Sequence, residues 1–260
     1  MRFEAHDLSA WYGTAQALFG AGFEVDDHEI IALLGRNGAG KTTALRSCAG
    51  VICRARGSVR LDGQDLGAQA AYQRFRRGVA WVPDDRRIFA NLSVEENIRL
   101  GIRAPRREVT GRVGEIFEAF PMLADLRRRY GKELSGGQQQ VVAIGRGLAS
   151  RPRVLLLDEP TEGLAPVIMD NLSEQISQLP ARFGVSVVMA ESNLAFALDI
   201  SSRAIVFENG RVVAQQPASE LRDSPETLRR FLGLGVNDDR PAASAGHDQE
   251  GGEPNGGKRQ

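Results

Sequence analysis

Ile30-Ile31-Ala32-Leu33-Leu34-Gly35-Arg36-Asn37-Gly38-Ala39-Gly40-Lys41-Thr42 opens the reading of this chain. Residues 30–34 form a short apolar run of the kind a buried strand carries. Residues 35–42 fit the pattern G-x-x-x-x-G-K-[ST], in which glycines let the backbone turn tightly and aim successive N–H groups inward at phosphate oxygens. The stretch Thr42-Thr43-Ala44-Leu45-Arg46-Ser47 reads as a helix ending near Gly50, and the N-terminus of a helix favours anions. A strand, a glycine-rich loop and a helix in this order imply a nucleoside triphosphate site. Gly35 to Thr43 would cradle the phosphates, with the Lys41 ammonium on the β/γ-phosphates and the Thr42 hydroxyl on Mg²⁺.

Outward from that loop the chain alternates strands and helices. Arg2 to Tyr12 alternates as an antiparallel strand does, and Phe19 to Val25 continues it after a turn. Gly57 to Gly63 reads as a strand closed by an Asp-Gly turn, and Val79-Ala80-Trp81-Val82 as a buried strand stopped by Pro83. Ser93 to about Arg129 is mostly helical: Ser93-Val94-Glu95-Glu96 fits a capping box, and Val113, Ile116, Phe117 and Phe120 form a packing stripe. From Val141 the pattern is helix to Ala149, strand 153–157, helix 166–179, strand 185–190, helix 194–199 and strand 204–207. Such alternation implies an α/β fold around a mostly parallel sheet covered on both faces. The helical block at about 86–150 interrupts it as an inserted subdomain. Residues 236–260 lack apolar periodicity and read as a disordered tail after a domain spanning 1–235.

Composition sets limits. The 260 residues are 42% hydrophobic and 25% charged with a formal net charge of zero, so no global charge draws the chain to nucleic acid or acidic lipid. The longest apolar runs, such as 185–190, are strand-sized and too short to cross a bilayer. Nothing at the first residues resembles a signal peptide. Cys48 and Cys53 lack a second pair that would suggest a metal site, and read as reduced thiols.

A second motif, Val154-Leu155-Leu156-Leu157-Asp158-Glu159-Pro160, is an apolar strand ending in two carboxylates. Ligands of α/β folds sit at such strand ends. Asp158 would hold Mg²⁺, and Glu159 would polarise the water that attacks the γ-phosphate. A third, Leu134-Ser135-Gly136-Gly137-Gln138, places an N-cap residue and exposed backbone amides at the mouth of a 138–149 helix. On its own it reads equally as a well-capped helix and as a second anion-binding surface.

Phosphate loop, LSGGQ and LLLDEP in this order and spacing resemble the ABC ATPase signature, over nearly all of residues 2–235. The resemblance implies a P-loop (RecA-like) core, an N-terminal antiparallel β subdomain and an inserted helical signature subdomain. It implies ATP and Mg²⁺ as cofactors. It also implies a head-to-tail dimer, in which Ser135, Gly136, Gly137 and Gln138 of one subunit close over ATP held by the other. Tyr12 would then stack on adenine, although a Tyr beside Trp11 also reads as core or rim.

Within that family, Trp11-Tyr12-Gly13, Arg86-Arg87-Ile88-Phe89, Leu92 to Asn97, Glu162-Gly163-Leu164-Ala165-Pro166 and Phe231-Leu232-Gly233 are similar to one ATPase subunit of branched-chain amino acid importers. The implied partners are a second ABC ATPase subunit (or a second copy), two membrane permeases and, indirectly, a solute-binding protein, with no nucleic acid. The implied location is the cytoplasmic face of the membrane, peripheral through the permeases. Relatives of the same architecture carry urea, amides or aromatic acids. A non-transport ABC ATPase and a catalytically silent nucleotide sensor are the remaining readings.

Two positions depart from most ABC ATPases. Asp84 follows Pro83 where Gln is usual; it would touch Mg²⁺ or the attacking water, but a carboxylate cannot donate as an amide does. Ser192 stands where a His usually meets the γ-phosphate. Both departures fit the branched-chain subfamily and suggest two unequal ATP sites in the assembled dimer.

Overall fold

The computed structural model describes residues 2–52 and 54–224; the expected tail at 236–260 and the Phe231-Leu232-Gly233 motif lie outside the described residues. The chain begins with β1 (Phe3–Tyr12) and β2 (Ala15–Val25), a hairpin closed at Gly13-Thr14. Then come β3 (Ile30–Leu34), α1 (Lys41–Cys48), β4 (Ala55–Leu61), β5 (Gln64–Asp65), α2 (Ala71–Arg77) and β6 (Val79–Val82). Four helices follow: α3 (Val94–Gly101), α4 (Arg106–Ala119), α5 (Pro121–Asp125) and, after a 3₁₀ turn, α6 (Gly136–Ala149). The chain then runs through β7 (Val154–Asp158), α7 (Pro166–Ser177), α8 (Leu179–Phe183), β8 (Ser186–Ala190) and α9 (Leu194–Ile200). It ends in β9 (Arg203–Glu208), β10 (Arg211–Pro217) and α10 (Ala218–Arg222).

Among the described residues the strands form two sheets. One is antiparallel, in the order β2-β1-β4-β5; the other runs β10-β9-β3-β8-β7-β6 and is parallel except for its edge strand β10. The central strands β3, β7 and β8 are buried at every residue, as expected of parallel strands covered on both faces. Their side chains alternate between two cores. Leu33, Leu156 and Val188 pack with α1 and the antiparallel sheet, through Leu45, Phe3, Phe23 and Val59. Leu155, Leu157, Val187 and Met189 pack on the helical side with Ile98, Val142 and Leu172.

The helical block enters between β6 and β7, which remain hydrogen-bonded neighbours across it. It is not one helical run. Pro105 and Pro121 stand at the starts of α4 and α5, where a missing N–H costs nothing and a continuing helix would clash. The expected stripe of Val113, Ile116, Phe117 and Phe120 is buried against α3 and α6. At Gly101 a Cβ would fall 2.0 Å from the Arg146 carbonyl oxygen, so α3 and α6 approach to a distance that only glycine permits there. At the same crossing the Arg146 side chain joins α6 to the loop that follows β6 through the Arg86 and Arg87 carbonyls.

Candidate functional site

The C-terminal ends of β3, β7 and β8 open on one side of the parallel sheet, beside a cavity of about 850 Å³. Residues 36–43, Glu159, Thr161, Glu191, Ser192 and Asn193 line it, with Gln16, Ala17 and Phe19 from β2. Its floor is the loop between β3 and α1. Gly35, Gly38 and Gly40 have φ of +145°, +81° and +112°. A Cβ on Gly35 would stand 2.3 Å from the Phe207 carbonyl oxygen, so the loop could not close with any other residue there. Gly40 is the N-cap of α1 and offers no side chain to the helix's orphan N–H groups, which therefore face the cavity as anion donors.

Lys41 is 4% exposed. Its Nζ donates to the Gly35 carbonyl at 2.7 Å and to Ser192 Oγ at 3.1 Å, and lies 3.3 Å from Glu159 Oε1. Thr42 Oγ1 donates to Asp158 Oδ1 at 2.7 Å. Asp158 is fully buried, and its Oδ2 has no hydrogen-bond partner among the described residues. Burial pushes the Asp158 carboxyl up to about 6; the Thr42 hydroxyl opposes this, the charges of Asp84 and Glu159 add to it, and Arg46 offsets them. A buried carboxylate oxygen without a donor, beside a threonine hydroxyl, fits a hard divalent cation such as Mg²⁺.

Glu159 follows immediately, with φ of +43°, an uncommon conformation for a residue other than glycine. Its N–H donates to the Ala190 carbonyl at 2.8 Å. Its carboxylate accepts from Ser192 twice, from N–H at 2.9 Å and from Oγ at 2.7 Å. Ser192 Oγ also lies 3.2 Å from Asn37 Oδ1. Ser192 thus touches Lys41, Asn37 and Glu159 together.

The remaining expected residues sit apart from this cavity. Asp84, just past β6, lies 3.7 Å from Arg46 on α1 and acts on Asp158 through its charge. Tyr12, 47% exposed, lines a neighbouring cavity of about 450 Å³ with Trp11, Arg46, Trp81 and Arg87. Ser135 caps α6: its Oγ accepts from Gln138 N at 3.3 Å, and Gln138 Oε1 returns to Ser135 N at 3.0 Å. The Arg86 guanidinium lies over Gly136, its Nη1 2.8 Å from where a Cβ would stand, while Nη2 donates to the Glu162 carbonyl at 2.9 Å. Ser135 to Gln138 therefore form a face separate from the phosphate loop of the same chain.

The sequence reading passed over Glu191 and Thr161. Glu191 is 1% exposed; its Oε2 accepts from Thr161 N and Oγ1 at 3.2 and 2.8 Å, and its Oε1 from Ser192 N and Asn193 N at 2.7 and 2.8 Å. Burial pushes this carboxyl up against the pull of its donors, and the charge of Glu159 adds to the rise. The signal was available: an acid ends the apolar run 185–190 just as Asp158 ends 154–157.

Residues 18–162 match the ABC transporter family. The chain is 40% identical over 227 residues to the high-affinity branched-chain amino acid transport ATP-binding protein BraG of Pseudomonas aeruginosa, covering 87% of this chain and 97% of that protein. It is 32% identical over 228 residues to the probable branched-chain amino acid transport ATP-binding protein LivF of Archaeoglobus fulgidus, with the same coverages of 87% and 97%. Among solved structures, MJ1267, an ATP-binding cassette of an ABC transporter, matches in fold with a TM-score of 0.77 at 23% identity, covering 90% of this chain and 98% of that one. The chain belongs to the ABC transporter family, as an ATP-binding cassette that hydrolyses ATP. Among the described residues no helix is long and apolar enough to cross a membrane.

Proposed function

We propose that this cassette energises the import of branched-chain or related amino acids, paired with a second ABC ATPase subunit beneath two membrane permeases. The observation that carries the substrate class is the 40% identity to a branched-chain amino acid transport ATPase over nearly its whole length. ATP would close two cassettes head to tail; hydrolysis and product release would reopen them and move the permeases between two access states.

Within the site, residues 35–43 bind the triphosphate, and Lys41 turns from Gly35 and Glu159 to the β/γ-phosphates. Thr42 and Asp158 would hold Mg²⁺, which neutralises charge on the transferred phosphoryl group. Glu159 accepts the proton of the attacking water, and Ser192 holds its carboxylate in place at the position where most of the family has His. Tyr12 stacks on adenine. Arg46 balances the extra negative charge of Asp84 toward the metal site. Ser135, Gly136, Gly137 and Gln138 meet ATP held by the opposite subunit.

The permeases dock beside the loop after β6. Arg46 and Arg87 lie 5.9 and 5.6 Å from the centroid of the Trp81 ring, Phe89 is 52% exposed, and the Trp81 indole N–H is buried without a partner among the described residues. This face is shaped from within. The buried Asn97 side chain bonds Phe89 N and O and the Leu92 and Ser93 carbonyls. Arg146 donates to the Arg86 and Arg87 carbonyls at 3.1 and 2.7 Å and links α6 to the same loop.

Reconstitution of the chain with its neighbouring cassette, permeases and binding protein in vesicles tests the reading. ATP-dependent uptake of labelled leucine, competed by valine and isoleucine, is the expected result. Uptake competed by urea, amides or aromatic acids instead would assign a related importer, and ATPase activity indifferent to every permease would overturn the transport role.

A further inference from the structure

Glu191 places a carboxyl where charges are costly, and the role proposed for Glu159 does not by itself require it. An unpaired buried carboxylate is costly, and Glu191 faces no arginine or lysine within ion-pair distance among the described residues. Its partners are the N–H and hydroxyl of Thr161, from the turn after β7, and the N–H groups of Ser192 and Asn193, from the turn after β8. Each oxygen serves one turn. The side chain is therefore a clamp between the two loops that enclose the cavity.

The clamp bears on Glu159. The Ser192 N–H is shared, 2.7 Å from Glu191 Oε1 and 2.9 Å from Glu159 Oε2, while the Ser192 hydroxyl donates to the other Glu159 oxygen. Glu159 itself holds a left-handed backbone, which persists only where its surroundings over-determine it. Two tethers do so: the Glu159 N–H on the Ala190 carbonyl at the end of β8, and the grip of Ser192, in the turn after it, on the carboxylate. The second depends on where Glu191 places Ser192.

We infer that Glu191 is a positioning residue for hydrolysis: by joining Thr161 to the Ser192-Asn193 turn, it fixes the Glu159 carboxylate relative to Lys41 and the phosphate loop. The inference rests on the assignment of Glu159 as the base. It also explains why a carboxylate is used. Two acceptor oxygens are needed, and glutamine at this position would offer one oxygen and turn its own N–H₂ toward the N–H groups of one turn or the other.

A mutant cycle on the full chain tests this, with steady-state ATPase kinetics, ATP affinity by equilibrium titration and Tm measured for each variant. Glu191→Gln is expected to lower kcat on the order of 10-fold to 10²-fold, as small displacements of a reacting group do, with ATP Kd within about twofold of wild type. In a Glu159→Gln background the same substitution is expected to change the residual rate by less than about twofold, because its effect passes through Glu159. Thr161→Val removes a single hydroxyl leg of the clamp and should give a smaller fall in kcat that also vanishes in that background; it decides the matter if Glu191→Gln fails to fold. Additive losses, a wild-type kcat in Glu191→Gln, or a parallel loss of ATP affinity would each overturn the inference. Wild-type turnover in Glu159→Gln alone would instead overturn the base assignment beneath it.

Discussion

Two helices in this molecule begin at glycine-rich turns, and they are finished in opposite ways. At α1 the N-cap is Gly40, which has no side chain to cap with, and the buried Lys41 and half-buried Thr42 follow at once. At α6 the N-cap is Ser135, whose hydroxyl and backbone already complete a reciprocal box with Gln138. An uncapped helix end beside a buried cation leaves its donors for an anion from outside. At α6 the cap answers the Gln138 N–H from within the chain, and the Arg86 guanidinium, itself a donor, lies over the turn. On the proposed function, phosphate binding by the single chain would fall to α1, and α6 would take part only when a second subunit brings its nucleotide to that face.

The comparison can be broken from either side. The largest effect is expected from Lys41→Ala, which removes the point charge for the β/γ-phosphates; ATP affinity should fall by 10²-fold or more by equilibrium titration, and unchanged affinity would remove the α1 end from its role. Glu159→Gln keeps the cradle intact, so binding should persist while turnover slows on the order of 10²-fold, the scale of lost general-base assistance.

A third test uses pH. Asp158 is pushed up to about 6 by burial, so the folded chain binds its proton more tightly than the unfolded chain does. Its contribution to stability is present at pH below the unfolded value and is lost as pH rises through about 6. Metal binding needs the carboxylate, so affinity for Mg²⁺·ATP should fall by about tenfold per pH unit below 6, with proton release on binding visible by calorimetry in buffers of different ionisation enthalpy. A pH-independent affinity between 5 and 7 would remove Asp158 from the metal site. The smallest effect belongs to α6. Ser135→Ala should cost about 1 kcal/mol of stability through the lost cap, read as a lowered denaturant midpoint, and should leave ATP binding by the isolated chain unchanged.

The elements legible in the sequence are those whose stability comes from local signals or apolar period. The loop from Gly35 to Thr42, the capping box at Ser93, the N-cap at Ser135 and the buried strands β3, β7 and β8 all stand where the residue pattern places them. The missed elements are held by other means. Helix α2 has no apolar stripe; Arg74 anchors it by donating to the carbonyls of Ser47, Cys48, Gly67 and Gln69. Strand β10 is an edge, exposed at alternate residues, and its Gln215-Gln216 carries no burial signal. The candidate site divides in the same way. Lys41, Thr42, Asp158 and Glu159 lie within one motif or the next and were readable. The clamp from Glu191 to Thr161 joins residues thirty positions apart in adjacent strand-end turns, a pairing that only the sheet order creates. Ser192 was visible as a departure from the family, but its grip on Glu159 depends on the same juxtaposition.

The most direct test of the contrast between the two helix ends is ATP affinity of the isolated chain, measured side by side for wild type, Lys41→Ala and Ser135→Ala. Loss of binding in Lys41→Ala with a Kd within about twofold of wild type in Ser135→Ala is the predicted result. Comparable losses in both variants would contradict it, by showing that the signature turn binds nucleotide within a single chain.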